Sequence, residues 1–358
     1  MAYQDINGIR LIFPDSPCLI FNPCIFKLSG TMARTRVYVS ANGQQYNATY
    51  QTPNGGELDL RQFLQVMFDG LIFGGDLAQL GQFKGSELGK SVSITIIALD
   101  ESGTSLAQFN RTIFCVWGGT DVGENYSEDA RTRTKKAVWF KGYPFSVGLY
   151  ASASKQVDLV GYTSVPQDGG AIRSLSLPRQ GVYNISIDDE GDSDNNYISI
   201  IDHASPYAEH WEIAIDRTAD EGVYLRWVDR HGFWCYRLFK PGDDTRTAAS
   251  RFGMWNRNNL ANYYGMEGWQ RDSGRRQSFT RTDVIPLCAP LVDRETFDAL
   301  QDITTSPVID MYIGLDANDE PMWTAVTVEA GQYTRDVKKP EQDFQFNLVL
   351  PEIPVQSL

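Results

Sequence analysis

The feature that most constrains the fold is an alternation of apolar and polar residues in short runs separated by turn residues. In TRVYVS (35–40), Val37 and Val39 share one face while Tyr38 lies on the other. Asn42-Gly43, a strong signal for a two-residue hairpin turn, follows, and QQYNATYQ resumes the alternation. Because alternate side chains of a strand lie on opposite faces, the pattern predicts hairpins whose apolar face a second sheet must cover.

The first 120 residues repeat this pattern and contain one helical segment. SVSITIIAL (91–99) turns into a partner ending TIFCVWGG (112–119), which predicts a second hairpin. Between the hairpins, Asp59 has capping-box spacing to Gln62, and an apolar stripe follows at helical spacing. We therefore predict an N-terminal β-sandwich over residues 1–120, with a helix at about 59–69 that closes one end.

A polar, charged stretch separates this part from the rest of the chain. Residues 121–136 belong to GGTDVGENYSEDARTRTKK and predict a linker or an exposed loop. Strand patterns return over 137–358, which we predict to be a C-terminal β domain. In this domain Asp293 caps a short helix, RETFDALQDI. The predicted fold class is mostly β, with two or more β-sandwich-like domains and one or two short helices.

Charge and cysteine content exclude several classes of function. Lys and Arg total 32 against 45 Asp and Glu, so the net charge is −13. Such a surface repels phosphate backbones and anionic lipid, and we expect no nucleic-acid partner and no membrane insertion. The five cysteines lack zinc spacing and are odd in number, which predicts free thiols from a reducing compartment. The opening MAYQDINGIR predicts no secretion signal.

No motif for catalysis or for a cofactor stands out. GSELGKS (85–91) has three residues between its glycines where a phosphate loop needs four, and a strand pattern follows it. The acidic run DDEGDSDNN (188–196) contains a candidate calcium set, Asp192, Asp194 and Asn196, although a solvated turn is the simpler interpretation. The three histidines are scattered, and His231 falls in a hairpin turn where we expect exposure. We predict no cofactor and no enzyme activity.

The best binding candidate is a long segment rich in arginine and aromatic residues at about 241–283. Such a segment inside a β domain is typical of a contact loop. Alternatively, its side chains pack beneath the loop and its arginines pair with local acids such as Asp272 and Asp283. Aromatic rings could fill a partner's pockets or stack on sugars, and arginines could pair with carboxylates. The predicted contact residues are Trp255, Tyr263, Tyr264, Trp269, Arg275 and Arg276.

The order of segments near the C-terminus resembles a known class of β domain. VIPLCAPLV, the helix DRETFDALQDI, SPVIDMYI, WTAVTVEAGQYT and FQFNLVLPE follow one another. The order is similar to that in tail and baseplate structural proteins of tailed bacteriophages, particularly distal-tail-like proteins. The hairpin YLRWVDRHGFWCYRLF (224–239) resembles a hairpin of these proteins, and so does the opening FNP (21–23) with the hairpin and DLRQFLQVMF after it.

The resemblance implies a non-enzymatic virion protein of the tail or baseplate, assembled in the host bacterial cytoplasm. It implies a ring-like homo-oligomer that contacts other tail proteins through repeated interfaces. Two alternatives remain open. One is a carbohydrate-binding module at the tail tip that recognises a host-surface glycan. The other is a polysaccharide-degrading enzyme, which needs two carboxylates facing each other across a groove.

Overall fold

The structure is a computed structural model, and it describes most of the chain. The chain is mostly β, with several sheets and two short helices among the described residues, which confirms the predicted fold class. For residues 205–209, 250, 254–255 and 275–276 the backbone alone is described. The described residues are 2–71, 73, 82–120, 135–164, 169–187, 195–203, 205–218, 221–250, 254–255, 275–276, 278–353 and 355.

The chain divides into two compact units. Unit 1 comprises residues 1–219 and 226–237, and unit 2 comprises 220–225 and 238–358. The hairpin over 224–239 therefore contributes to both units. The predicted linker at 121–136 falls inside unit 1, and its residues 121–134 lie outside the described part of the chain.

Unit 1 begins with two sheets that share one core. Alternate residues of their strands point inward and form a single buried cluster, which includes Leu11, Phe26, Val37, Ile94 and Phe109. This arrangement is the sandwich that the alternation predicts. The first sheet has the order β1 (Ala2–Ile6), β2 (Ile9–Phe13), β4 (Ile25–Ser29) and β7 (Gly55–Asp59). The second has the order β3 (Cys18–Leu19), β10 (Ser105–Val116), β9 (Gly89–Leu99), β5 (Arg34–Ala41) and β6 (Gln44–Gln51).

The predicted helix at 59–69 is shorter than expected and is capped differently. Helix α1 (Arg61–Val66) has Leu60 at its N-cap, with no side-chain cap. Asp59 Oδ1 instead accepts from the backbone N–H of Arg61 at 3.0 Å and of Cys24 at 3.1 Å, which ties the helix start to a neighbouring loop. Leu64 is fully buried in the sandwich core, so the apolar stripe packs inward.

The rest of unit 1 contains two more sheets that are attached to the sandwich. Strand β8 (Phe83–Gly85) of the first sheet precedes the predicted linker, whereas its neighbour β15 (Gly181–Ser186) follows it. A buried cluster that includes Phe114, Tyr150 and Phe233 also joins residues from both sides of the linker. The first sheet has the order β12 (Ser146–Ala151), β15 (Gly181–Ser186) and β8 (Phe83–Gly85). The second has the order β11 (Lys135–Phe140), β17 (Ser205–Asp216), β16 (Tyr197–Asp202), β13 (Lys155–Tyr162) and β14 (Gly170–Leu177).

Unit 2 is built on an eight-stranded sheet with an aromatic core. Phe239 and Phe346 pack edge to face at 5.0 Å, and Phe297 and Phe344 do so at 5.2 Å. The sheet has the order β25 (Pro321–Ala325), β24 (Ile309–Leu315), β18 (Val223–Val228), β19 (Trp234–Pro241), β23 (Phe279–Asp293), β27 (Glu341–Val349) and β26 (Thr327–Val328), and β20 (Thr245–Ser250) pairs with β23. A separate ribbon pairs β21 (Met254–Trp255) with β22 (Arg275–Arg276).

The second predicted helix is confirmed with its cap. Helix α2 (Arg294–Gln301) begins after Asp293, whose carboxylate accepts from the backbone N–H of Thr296 at 2.8 Å. A single 3₁₀ turn, Asp302–Thr304, extends it. The buried residues Phe297 and Leu300 anchor the helix in the unit 2 core.

Three hairpins share one turn geometry that is led by an aspartate. At Asp100, Asp229 and Asp316, the backbone N–H donates to the carbonyl oxygen four residues on. The aspartate Oδ1 accepts from the backbone N–H of that same residue at 2.8 Å in all three turns. The fourth residue of each turn has a positive φ, which glycine and aspartate tolerate. These residues are Gly103 (88°), Gly232 (80°) and Asp319 (61°).

Candidate interaction surface

The structure brings together three of the six predicted contact residues. In the ribbon of β21 and β22, Trp255 pairs with Arg275, and Met254 pairs with Arg276. The other three, Tyr263, Tyr264 and Trp269, lie outside the described residues. The pairing places Trp255, Arg275 and Arg276 on two adjacent strands, and their role in contacts stays a prediction.

Two other arginines of this segment pair with a local acid, as the alternative interpretation expects. Arg281 Nε lies 2.8 Å from Asp283 Oδ1, and Arg246 Nε lies 3.4 Å from the same oxygen. The hydrogen bond from Arg281 lowers the pKa of Asp283 below its usual value. Asp283 therefore holds β20 against β23 as a charged cross-strand contact.

Asn196, the described member of the candidate calcium set, serves a structural role. Its side-chain amide donates to the Thr163 carbonyl oxygen at 3.2 Å, and its backbone N–H donates to the Tyr162 carbonyl oxygen at 3.0 Å. Asp192 and Asp194 lie outside the described residues. Within the described part of the chain, no cluster of three or more His, Cys, Asp or Glu is arranged to hold a metal.

The expectation that His231 is exposed is wrong. Most of its turn is buried, and the backbone of residues 118–119 packs on it: Gly119 N–H donates to the Arg230 carbonyl oxygen at 2.6 Å. A side chain at position 118 would meet that oxygen at 2.5 Å, which explains Gly118. His231 is 8% exposed, and its Nδ1 lies 3.4 Å from Asp229 Oδ2.

The carboxylate of Asp229 organises this buried turn. Its Oδ1 accepts from the backbone N–H of His231 at 3.0 Å and of Phe233 at 2.8 Å. Burial opposes ionisation, but the hydrogen bond and charge of His231, the charge of Lys135 and the Phe233 N–H outweigh it. The pKa of Asp229 is therefore lowered. This arrangement stabilises the turn.

The other two histidines lie apart from the turn and from each other along the chain. His203 Nδ1 lies 2.6 Å from Asp158 Oδ2, and the imidazole is largely exposed. His210 Nε2 lies 3.1 Å from Lys155 Nζ.

Three of the five cysteines meet in the sandwich. Cys18 and Cys24 have sulfur atoms 4.0 Å apart, and Cys18 pairs with Cys115 across the parallel strands β3 and β10. The Sγ contact lowers the pKa of Cys18 and raises that of Cys24, and burial raises the pKa of Cys115. All five cysteines are free thiols.

The most distinctive surface of unit 1 is the outer face of the second sandwich sheet. The pairing of β6, β5, β9 and β10 aligns three cross-strand rows of four residues, each exposed or half-buried. We call this set the polar face. Its rows are Gln45, Ser40, Ser93 and Thr112; Asn47, Tyr38, Thr95 and Asn110; and Thr49, Arg36, Ile97 and Gln108.

The polar face has almost no charge. Arg36 is its one charged member, and it contains no carboxylate, although the chain has a net charge of −13. Its side chains also contact one another: Thr95 Oγ1 and Gln108 Nε2 both lie within 3.2 Å of Asn110 Oδ1. Sequence analysis missed this surface because its members come from four strands that span residues 36–112. The signal was present as the polar positions of the alternating runs.

Unit 2 contains a pocket of about 420 Å³ above β23 and β27. Gln345 and Asn347 of β27 lie on its floor opposite Cys288 and Pro286 of β23. The segment 329–333 forms a wall, held by a hydrogen bond of 2.7 Å from Asn347 Nδ2 to Glu329 Oε2.

Tyr333 provides the aromatic surface of this pocket. Its hydroxyl donates to the Glu329 carbonyl oxygen at 2.8 Å, and burial raises its pKa. Burial likewise raises the pKa of the Cys288 thiol. The pocket thus combines an aromatic ring, two amides and a carboxylate, a set that can hydrogen-bond a polar ligand.

Comparison with known proteins establishes no family. No protein-family model matches the chain, and no curated protein sequence matches it. A solved structure concerned with host cell surface retention of a 1.5-MDa bacterial ice-binding adhesin aligns with 86% of this chain and 89% of its own. The identity is 10% and the TM-score is 0.17, too low to indicate a shared fold. No described helix has the length and apolar character needed to cross a membrane.

Proposed function

We propose that this chain is a non-enzymatic structural subunit of a bacteriophage tail or baseplate that assembles through repeated subunit interfaces. The observation that carries the proposal is the polar face. Copies with a net charge of −13 repel one another wherever carboxylates meet, so a broad face without carboxylates is the favoured place for close approach. We place the protein in the virion tail, assembled in the host cytoplasm as a ring with other tail proteins as neighbours.

The hairpin that resembles tail proteins supports the same function. Its matched aromatic residues Tyr224, Trp227, Trp234 and Tyr236 are all buried. Ser146 and Tyr236 share a hydrogen bond of 2.9 Å between their hydroxyls. The residues that carry the resemblance therefore lie in the protein interior. Such interior residues are what structural proteins with a similar hairpin are expected to share.

The first test is the solution mass of the purified chain, measured by light scattering after size exclusion over a range of concentrations. The proposal predicts a multiple of the monomer mass, and electron microscopy of the same peak should show closed rings. A monomer at every concentration, with no rings in the images, would contradict repeated self-contact. Deleting residues 256–274 tests the predicted contact loop separately, because assembly should be lost if that loop makes subunit contacts.

A second candidate function is recognition of a carbohydrate, which the unit 2 pocket favours. Aromatic rings beside planar amide and carboxylate groups can stack on a sugar ring and bind its hydroxyls. Tyr333, Gln345, Asn347 and Glu329 provide these groups within one pocket. This function is compatible with a subunit at the tail tip.

A glycan array followed by calorimetry on any hit tests this second function. Tyr333→Ala should abolish binding, whereas Tyr46→Ala, which removes an exposed tyrosine in unit 1, should leave binding unchanged. Cys288 provides an internal reporter because it lines the pocket, and a bound saccharide should slow its alkylation. An array without hits, or equal loss of binding in both variants, would argue against this function.

A further inference from the structure

The outer edge of β6 is the least protected strand edge of the sandwich. β6 pairs with β5 along all eight residues without a register shift, and no described strand pairs with its other side. Its sequence, QQYNATYQ, contains no charged residue and no proline. Proteins usually protect exposed edges with charges, prolines, bulges or short strands, because an open edge is a template for pairing with another chain.

The other sheet edges described in the structure have such protection. Strands β3 and β26 are two residues long, β8 is three, and β12 is buried along its whole length. The remaining outer strands carry a charged side chain or a proline. Examples are Asp5 in β1, Glu57 in β7, Lys136 in β11, Arg173 in β14 and Pro321 in β25.

The turn before β6 determines which backbone groups face outward. Asn42 and Gly43 both have positive φ (50° and 81°), and Ala41 pairs with Gln44 across this two-residue turn. Residues that flank such a turn exchange both backbone hydrogen bonds, and every second pair does the same. The backbone groups of Gln45, Asn47, Thr49 and Gln51 therefore point away from β5, towards the open edge.

We propose that β6 pairs antiparallel with β6 of a second copy of this chain about a two-fold axis. This inference rests on the proposed function, because it names one of the repeated contacts that a structural subunit needs. The outward-facing residues are all odd-numbered, so a pairing between them keeps the polar faces of both copies on the same side of one continuous sheet. Neither copy brings a carboxylate to the joined face.

The register follows from the side chains on the other face. With Ala48 opposite its own copy, Asn47 hydrogen-bonds with Thr49 of the second copy, and Gln45 with Gln51. Tyr46, which is 39% exposed, then lies opposite Tyr50 of the second copy, an aromatic cross-strand pair. A register centred on Asn47 places Tyr46 opposite an alanine instead. If head-to-tail contacts between subunits close a ring, the two-fold pairing of β6 then joins that ring to a second ring.

Single cysteine variants test the register. Ala48→Cys places two thiols in a non-hydrogen-bonded pair, where the Cα atoms are about 4.5 Å apart and a disulfide is possible. Asn47→Cys is the matched control on the same edge, because its own copy lies diagonally beyond about 7 Å. On oxidation with diamide, which takes up the two electrons and protons, we expect about tenfold more linked dimer for Ala48→Cys. Equal linking of both variants, or none above the wild-type chain, overturns the inference.

A proline variant tests the pairing without an added thiol. The backbone N–H of Asn47 does not bond to β5, so Asn47→Pro removes a donor needed only by the second copy. We expect it to halve the mass measured by light scattering while the melting temperature stays unchanged. An unchanged mass overturns the inference. If Asn47→Pro fails to fold, the cysteine pair alone decides the question.

The outcomes separate this inference from the proposed function. Rings in electron micrographs without a disulfide at position 48 overturn the β6 pairing and leave the structural role standing. A disulfide-linked dimer that forms no ring supports the pairing and argues against the ring.

Discussion

Replacing Asp229 with alanine should destabilise unit 1 strongly, although the residue lies in a turn. Its carboxylate is the acceptor for the backbone N–H groups of His231 and Phe233. These two residues are 8% and 2% exposed, so water cannot readily replace the lost acceptor. A buried donor left without a partner costs about 1–3 kcal/mol, so the two together cost about 2–6 kcal/mol.

Asp100→Ala is the matched control for this prediction. Asp100 leads a turn with the same backbone hydrogen bonds in the same unit. Its Oδ1 accepts from Thr104 N–H at 2.8 Å and from the Ser102 hydroxyl at 2.7 Å. That turn is exposed, so water can bond the released donor and the loss of stability should be much smaller. The comparison therefore separates the effect of burial from the effect of the bond itself.

The assay is equilibrium unfolding in urea, monitored by tryptophan fluorescence. The free energy of unfolding is taken from the transition in which unit 1 unfolds. The slope of the free energy of unfolding against urea should be the same in wild type and variants, so that the midpoint reports stability. A loss in Asp229→Ala below about 1 kcal/mol, or an equal loss in Asp100→Ala, would refute the argument that burial sets the cost.

Three further changes can be measured by the same unfolding assay. Because the pKa of Asp229 is lowered on folding, its ionisation stabilises the fold above about pH 4, and this contribution is lost as the pH falls through the folded pKa. The stability advantage of wild type over Asp229→Asn should therefore shrink between pH 7 and pH 3, and a constant difference would contradict the assigned shift. Gly118→Ala should cost about 1–3 kcal/mol because its Cβ meets the Arg230 carbonyl oxygen, whereas Gly170→Ala, which meets nothing, should change stability by less than about 0.5 kcal/mol. Leu64→Ala should cost about 2–4 kcal/mol because this side chain is fully buried, and a loss below about 1 kcal/mol would contradict its place in the core.

Local patterns predicted the elements whose causes are local. Asn42-Gly43 was enough to predict the hairpin of β5 and β6, because a two-residue turn requires positive φ at both positions. Asp293 was enough to predict the start of α2, because the cap acts on a backbone N–H three residues away. The cap of α1 was predicted wrongly because Asp59 also bonds the distant Cys24 N–H, which no local pattern shows.

The candidate surfaces were harder to predict from the sequence than the local elements. The prediction that His231 is exposed failed because residues 118–119, more than a hundred positions earlier, pack on its turn. The unit 2 pocket likewise joins residues from 242 to 347, which no spacing rule connects. Of the contact residues predicted in segment 241–283, Trp255, Arg275 and Arg276 meet in one ribbon, and their function awaits the tests above.

The sequence by itself determined that this chain forms sheets, where its hairpins turn and which side of each strand faces a core. These properties depend on alternation and on turn residues, whose effects extend over only a few positions. The tertiary structure alone decided that β6, β5, β9 and β10 are neighbours, so that uncharged polar residues spread over residues 36–112 form one face. Strand order depends on long-range pairing and on the burial of a shared core, and neither is encoded in any single segment.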